Sequence, residues 1–337
     1  MAICFHFQAS GQSLRASLAF LNGGVYNSGP FVLHCVLVVD CYRWLFGSQV
    51  AAAIKLGQGH RADSRTEFEV LVTLLALFGV SAEHARAEIN TWTKNETKGI
   101  IEEILPTGAL DANSKCVLAN ALYFKGAWQN QFDASLTVEE DFYLPNGQTI
   151  RVPMMTTSQK QEITTHDSFK VLRLPYNKSG DGRSFSMYIV LPHERNGLSD
   201  VEKIVNADFL EKDLVTSTEV KVNSFKLPRF KVSGGYEMPD VLAKLGLTLP
   251  FSDKADFSKM VDSPIGQSLS IDKVYHKAAV EVNEEGTVAA AATAAVVMLR
   301  SIQPMEAFVA DHPFLFVLKE DMTGMVVFIG HVTNPIS

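Results

Sequence analysis

The chain is sparing with cysteine. It has four thiols in 337 residues, at Cys4, Cys35, Cys41 and Cys116. None forms a CxxC pair and none has histidines at zinc spacing, so neither a disulfide framework nor a structural metal site is expected. Thiols this thinly spread suit the reduced core cysteines of an intracellular protein. Long apolar runs are also missing. "FVLHCVLVV" (31–39) and "FEVLVTLLALFGV" (68–80) fall well short of the roughly 20 residues of a membrane span and read as buried strands or helices. There is no basic run, and a net charge of −7 gives no electrostatic reason to bind nucleic acid. The opening residues, "MAICFHFQASGQSLR", lack a basic segment followed by a clean apolar core, so no signal peptide is read there. No G-x-G-x-x-G, Walker, G-x-S-x-G or H-E-x-x-H motif occurs, and the nine histidines are scattered. Nothing points to an enzyme, a cofactor or a metal.

What is present is an ordinary globular composition, 47% hydrophobic and 20% charged. Residues 81–105 follow the 3.6-residue period through Ala85, Ile89, Trp92, Ile101, Ile104 and Leu105, with Ser81 placed to cap an amphipathic helix. "KCVLANALYFKGAW" (115–128) is a nearly continuous apolar run, as in a strand covered on both faces. "FKVLRLPY" (169–176) and "FSMYIVLP" (185–192) are short strands closed by prolines. "KVNSFKLPRFKVSG" (221–234) alternates like one half-exposed strand. "MPDVLAKLGL" (238–247) is a compact helix, and "PFLFVLKEDMTGMVVFIGHV" (313–332) reads as two buried strands around a five-residue turn. The chain after residue 80 therefore reads as one α+β domain. Residues 1–80 settle into neither period.

One stretch needs its own account: "EVNEEGTVAAAATAAVVMLRS", residues 281–301. It is charge-free from Thr287 to Leu299 and ends on Arg300-Ser301. Alanine is the best helix former, so a helix buried on all sides is one reading. The other is a strand that is only sometimes a strand. Small uncharged side chains can slip between existing strands without clash, and can also stand in water without collapsing. Gly286 supplies a pivot. Laid out as a strand, Thr287 to Arg300 would reach roughly 45 Å. A lone arginine beyond such a tract is either a solvated surface residue or a bait for an arginine-cutting protease.

"EVNEEGTVAAAATAAV", "NALYFKGAW" (120–128), "FSMYIVLP" and "FVADHPFLFVLKEDMTGMVVFIGHVTNP" (308–335) resemble a serpin, specifically a plant serpin, over about residues 81–337. The resemblance implies the serpin fold: a large central β-sheet, further sheets, surrounding helices and an exposed reactive-centre loop at about 286–306. It also implies a suicide-substrate inhibitor whose loop, once cut, inserts into the sheet and carries the protease with it. The reactive bond would then be Arg300–Ser301, with Leu299 as the neighbouring specificity residue. The covalent partners would be trypsin-like serine proteases or arginine-cutting cysteine proteases of the metacaspase or papain type. The hinge would be Glu284, Glu285, Gly286, Thr287, Val288, Ala289, Ala290, Ala291 and Ala292. Thr287, Ala289, Ala291, Thr293 and Ala295 would face inward after insertion. Asn120 and His331 match positions where the sheet parts midway. Trp128 matches the point where the loop enters, and Arg229 and Glu284 match an ion pair there. The alternative is a non-inhibitory relative that is only a protease substrate or a binding module. The motif "FSPxS" and the helices that open family members are not found, so residues 1–80 are expected to be a divergent or incomplete part of the domain. A monomer in the cytoplasm or nucleus is expected, with an extracellular location as the other possibility.

Overall fold

The structure, a computed structural model, describes residues 4–9, 12–17, 52–56 and 66–76 and, with short breaks, 81–287 and 305–336. Strands β1 (Cys4–Ala9) and β2 (Gln12–Ser17) form an antiparallel pair of their own. β3 (Ala52–Leu56) and β4 (Thr66–Ala76) follow, then helix α1 (Ala82–Glu96) and the long strand β5 (Cys116–Ala127). Next come β6 (Val138–Tyr143), β7 (Thr149–Met155), β8 (Gln161–Thr165), β9 (Phe169–Pro175) and β10 (Phe185–Pro192). Helix α2 (Leu198–Ile204) and a π-helical turn (Phe209–Asp213) lead to β11 (Glu219–Pro228), β12 (Phe230–Glu237) and α3 (Pro239–Lys244). The chain closes with β13 (Lys273–Val282), the two-residue β14 (Gly286–Thr287), β15 (Met305–Val309), β16 (Phe314–Glu320) and β17 (Val326–Val332).

Two large sheets result. One runs β12-β13-β5-β4-β3, with β14 added beside β5. The other runs β17-β16-β10-β9-β8-β11-β7-β6, with β15 beside β11. The apolar run "FEVLVTLLALFGV" contributes β4, which pairs antiparallel with the whole of β5, from Thr66↔Gly126 to Ala76↔Cys116. "KVNSFKLPRFKVSG", expected as one strand, is two. Pro228 lacks a donor and the chain changes sheets at Arg229, so β11 belongs to one sheet and β12 to the other. The C-terminal strands β16 and β17 are joined by residues 321–325, the five-residue turn expected from the sequence.

β5 is buried on both faces and divides two cores. Leu122 and Phe124 join Ile189, Phe185, Phe316 and Phe328 between the sheets. Val117, Ala119, Ala121 and Tyr123 point the other way and pack with Ala85 and Ile89 of α1 and with Ile101, Ile104 and Leu105 after it. Tyr275 and Ala279 of β13 belong to the same cluster, so α1 and the segment behind it cover the seam between β5 and β13. The helix begins as the sequence suggests, with the Ser81 hydroxyl accepting from His84 N–H at 3.3 Å. It ends at Thr97 rather than near 105, because Lys98 and Gly99 both take positive φ, 54° and 82°. The segment beyond it is tied down from both sides. Asn90 Oδ1 accepts from the backbone N–H groups of Ile104 and Leu105, and Lys277 Nζ of β13 donates to the Glu103 carbonyl at 2.7 Å.

Ile89 is 3% exposed and is the apolar anchor of α1 over the seam. Ile89→Ala is expected to cost about 3 kcal/mol, the sum of lost transfer energy and the cavity left behind. A urea midpoint lower than that of the parent measures this. Ile204→Ala, at a residue 42% exposed, should stay within about 0.5 kcal/mol.

Candidate functional site

The seam between β5 and β13 is the unusual feature of the first sheet. Its two strands are parallel and paired directly from Lys273↔Val117 through Ala279↔Tyr123. The ladder stops there, although β5 continues to Ala127 and β13 to Val282. In the space beyond, residues 283–286 turn back, with Asn283 and Gly286 bridged to each other. Gly286 and Thr287 then pair antiparallel with Ala127 and Gly126. The chain leaving β13 thus re-enters beside β5, aimed back down the seam.

Only glycine fits at this pivot. Gly286 has φ of 132°, and a Cβ there would lie 2.1 Å from the Gly126 carbonyl oxygen and 2.7 Å from Ala127 Cα. Both obstacles are backbone, which cannot swing away.

The residues before the pivot are held by the segment that follows β5. Trp128 N–H donates to the Glu285 carbonyl and Phe132 N–H to the Glu284 carbonyl, each at 2.9 Å. Trp128 Nε1 donates to the Asn283 carbonyl at 2.9 Å. The Glu284 carboxylate, 6% exposed, accepts from Arg229 Nε at 2.6 Å and Nη2 at 2.5 Å, and from the Thr137 hydroxyl. Burial pushes the Glu284 carboxyl up, but the bonds from Arg229 and Thr137 outweigh it and hold the group below its ordinary value. Arg229 is the residue at which the chain passes from β11 to β12, so this ion pair also fixes the junction of the two sheets to the hinge.

Trp128, 1% exposed, stacks on Tyr176 with ring centroids 4.2 Å apart. Asn177 closes the group: its N–H donates to the Ala127 carbonyl and its side-chain amide to the Trp128 carbonyl at 3.2 Å. Asn177 stands in an Asn-Lys-Ser sequon, and nothing in the sequence marks it as part of the hinge support.

Halfway down the seam the structure corrects one expectation. His331 lies on β17, in the other sheet, where Nδ1 meets Glu202 Oε1 at 2.8 Å. It does not face Asn120. The residue opposite Asn120 across the seam is His276 of β13, and Val72 of β4 is opposite on its other side. Asn120 is fully buried, and neither atom of its amide finds a hydrogen-bond partner among the described residues. His276 is 4% exposed. The signal for it was available in "KVYHKAAVEVNEEG": a histidine ten residues before the pivot glycine, in the strand that feeds the hinge.

Of the other residues singled out in the sequence, Val288, Ala289, Ala290, Ala291, Ala292, Thr293, Ala295, Leu299, Arg300 and Ser301 lie outside the described residues. Groups of three or more His, Cys, Asp or Glu side chains able to hold a metal are absent among the described residues. No described helix is long and apolar enough to cross a membrane.

Comparison with known proteins bears on this geometry. The family model described as Serpin (serine protease inhibitor) matches residues 62–335, so the resemblance starts upstream of residue 81 and takes in β4. Serpin-ZXA of Oryza sativa subsp. japonica is 52% identical over 261 residues, and Serpin-ZX of Hordeum vulgare is 50% identical over 264. Each alignment covers 77% of this chain and 66% of the relative, so the chain spans just under two thirds of their length. Among solved structures, Arabidopsis AtSerpin1 in its native stressed conformation is 47% identical with a TM-score of 0.65, covering 75% of this chain and 65% of that one. Uncleaved ovalbumin is 27% identical with a TM-score of 0.66, covering 82% and 76%.

Two measurements check the hinge. Gly286→Ala is expected to expel β14 from β5, speeding amide exchange at Trp128 N–H about tenfold or more. Unchanged exchange there would show that the pivot tolerates a Cβ. The second concerns pH. The folded carboxyl of Glu284 titrates below its unfolded value of about 4.3. The hold it exerts is therefore complete above that value and is lost as pH falls through the lower folded one. Exchange at Phe132 N–H should rise over that acidic window in the parent, and should already be raised at neutral pH in Arg229→Met.

Proposed function

This chain belongs to the serpin family, and on that premise we propose that it is a suicide-substrate inhibitor of arginine-specific proteases, of the trypsin-like serine or the metacaspase and papain-like cysteine type. The observation that carries the reading is β14, a strand two residues long, antiparallel to β5 and aimed into a seam whose two walls are parallel to each other. A strand continuing from β14 would be antiparallel to both walls. It would exchange one parallel ladder for two antiparallel ones, which are more numerous in hydrogen bonds and slightly stronger per residue.

On this reading the target protease attacks the carbonyl carbon of Arg300. The Arg300–Ser301 peptide bond breaks, the nucleophile's proton passes to the departing Ser301 amine, and an acyl-enzyme remains on Arg300. The freed segment then zips down the seam. The pairing Gly286↔Ala127 and Thr287↔Gly126 sets its register. Continued in step, it brings Ala289 opposite Phe124, Ala291 opposite Leu122 and Thr293 opposite Asn120, between that residue and His276. These are the core-facing positions, since Leu122 and Phe124 already point between the sheets. Small side chains at Ala289 and Ala291 enter that core without displacing aromatic rings. Thr293 brings a hydroxyl to the buried Asn120 amide. Leu299 and Arg300 are the residues a protease pocket would read.

The test is a denaturing gel after mixing the intact protein with trypsin. A covalent band at the summed mass, together with a melting temperature of the nicked protein about 10 °C or more above that of the intact one, is the expected outcome. Clean cleavage after Arg300 with no adduct and no rise in melting temperature overturns the reading and leaves a non-inhibitory member of the family. Thr287→Arg is expected to turn inhibitor into substrate. Residue 287 pairs with Gly126, a position where an added Cβ would fall within 3 Å of the Tyr176 and Phe124 rings, and a guanidinium buried beside it without a partner costs several kcal/mol.

A further inference from the structure

An asparagine followed by glycine is a point at which a chain can react with itself. With no Cβ on the second residue, its backbone nitrogen reaches the asparagine Cγ unhindered. The chain has three such steps, Asn22-Gly23, Asn146-Gly147 and Asn196-Gly197. The first lies outside the described residues. The other two are a matched pair. Both asparagines are exposed. Both glycine N–H groups close a tight turn, Gly147 on the Leu144 carbonyl at 3.0 Å and Gly197 on the Glu194 carbonyl at 2.9 Å. Neither exposure nor that backbone bond tells the two apart.

The side chains do. Asn146 stands in the turn between β6 and β7, and its amide is held at both ends. Oδ1 accepts from Gln148 N–H and Nδ2 donates to Gln148 Oε1, each at 3.0 Å. Leu144 N–H closes the same turn again on the Gln148 carbonyl at 2.8 Å, and the strands pair up to its edge at Tyr143↔Thr149. Asn196, between β10 and α2, has an amide with no partner among the described residues. Its glycine is fixed by packing. A Cβ at Gly197 would lie 2.9 Å from Pro192 Cβ and 3.0 Å from the Glu194 carbonyl oxygen. The fold therefore demands at 197 the one residue that leaves the nitrogen open to Asn196, and leaves the Asn196 amide free to meet it.

We propose that Asn196 is a self-modification site, converted to aspartate and isoaspartate in the folded protein, while Asn146 keeps its amide. The Gly197 nitrogen, once released from Glu194, attacks Asn196 Cγ and closes a succinimide ring. The Cγ–Nδ2 bond breaks, and Nδ2 leaves as ammonia with the proton of the Gly197 nitrogen. Water then opens the ring, giving its hydroxyl to the carbonyl carbon and its proton to the nitrogen. Opening at Cγ yields aspartate, and opening at the main-chain carbonyl yields isoaspartate. No oxidant and no enzyme is required. Each event adds a negative charge beside Arg195, whose guanidinium lies 3.4 Å over the Tyr143 ring and 3.6 Å from Asp311. The isoaspartyl form also lengthens the main chain where β10 leads into α2, the helix that brings Glu202 to His331. The site follows Pro192, at the end of β10 away from Phe185, whose carbonyl accepts from Tyr176 N–H under the hinge. The converted fraction dates the molecule without touching the hinge, and the inference stands apart from the inhibitory reading.

The experiment holds the full chain at neutral pH for several weeks, folded and in concentrated urea, and digests samples with a lysine-specific protease. Asn196 falls in the peptide 179–203 and Asn146 in the peptide 126–160. Each is followed by the mass gained when an amide becomes an acid, placed on its residue by fragmentation. In the folded protein Asn196 is expected to convert about fivefold faster than Asn146 or more, the scale set by one net hydrogen bond. In urea, where the bonds to Gln148 are lost, the two rates should come together. Gln148→Ala, which removes the acceptor of Asn146 Nδ2, should raise the rate at Asn146 and leave that at Asn196 unchanged. Asn196→Gln should abolish the gain in 179–203. Equal rates in the folded parent overturn the inference. A difference that persists in urea overturns it too, because the cause is then the local sequence and not the fold. So does an unchanged rate at Asn146 in Gln148→Ala, or an acid gain in 179–203 that survives Asn196→Gln. The parent alone supplies the first two measurements, so the test holds even where a variant fails to fold.

Discussion

Two parallel strands lying side by side, β5 and β13, are the constraint on which the rest of the architecture depends. Parallel neighbours, once parted, can each pair with a third strand antiparallel to both. Here the chain that leaves β13 has already turned to face that position. The hinge bonds from Trp128 and Phe132, the Glu284–Arg229 pair and the glycine at 286 all act at the mouth of the seam. Helix α1 acts along its length. Together they fix the mouth of the seam, where the β5–β13 ladder has stopped and β14 lies beside β5.

Much of the fold was legible because its strands are short and sharply bounded. "FSMYIVLP" is buried at every position and became the centre of the second sheet, and "KCVLANALYFKGAW" is buried on both faces as its unbroken apolarity implies. Period-two alternation, however, says that a residue is in a strand and not which strand lies beside it. That is why "KVNSFKLPRFKVSG" looked like one element. Its alternation persists across Arg229 while the hydrogen-bonding partners change completely.

The same limit explains the histidines. His331 and His276 both stand in apolar strands, and their immediate neighbours do not distinguish them. What separates them is register: His276 meets Asn120 across the seam, whereas His331 is tied to Glu202 of α2. Asn177 was hidden for another reason. Its role is to bond backbone carbonyls under Trp128, a contact between segments 49 residues apart that leaves no trace in local pattern. By contrast, Glu284 and Arg229 are brought together at the hinge, where the family resemblance had paired them. Lone charges in that setting would have been read otherwise as solvated.

Helix α1 has a consequence for timing. Its cluster touches β5 at Val117, Ala119, Ala121 and Tyr123 and leaves the strand from Phe124 to Ala127 clear. On the inhibitory reading, a strand entering from the hinge would advance past Gly126 and Phe124 unopposed and would first meet the helix's footing when Ala290 drew level with Tyr123. Beyond that point each step must lift α1 and the segment bound to Lys277. On that reading the journey would divide into a quick opening stretch and a slower remainder, and the helix would work as a clock set against the lifetime of the acyl bond to the protease.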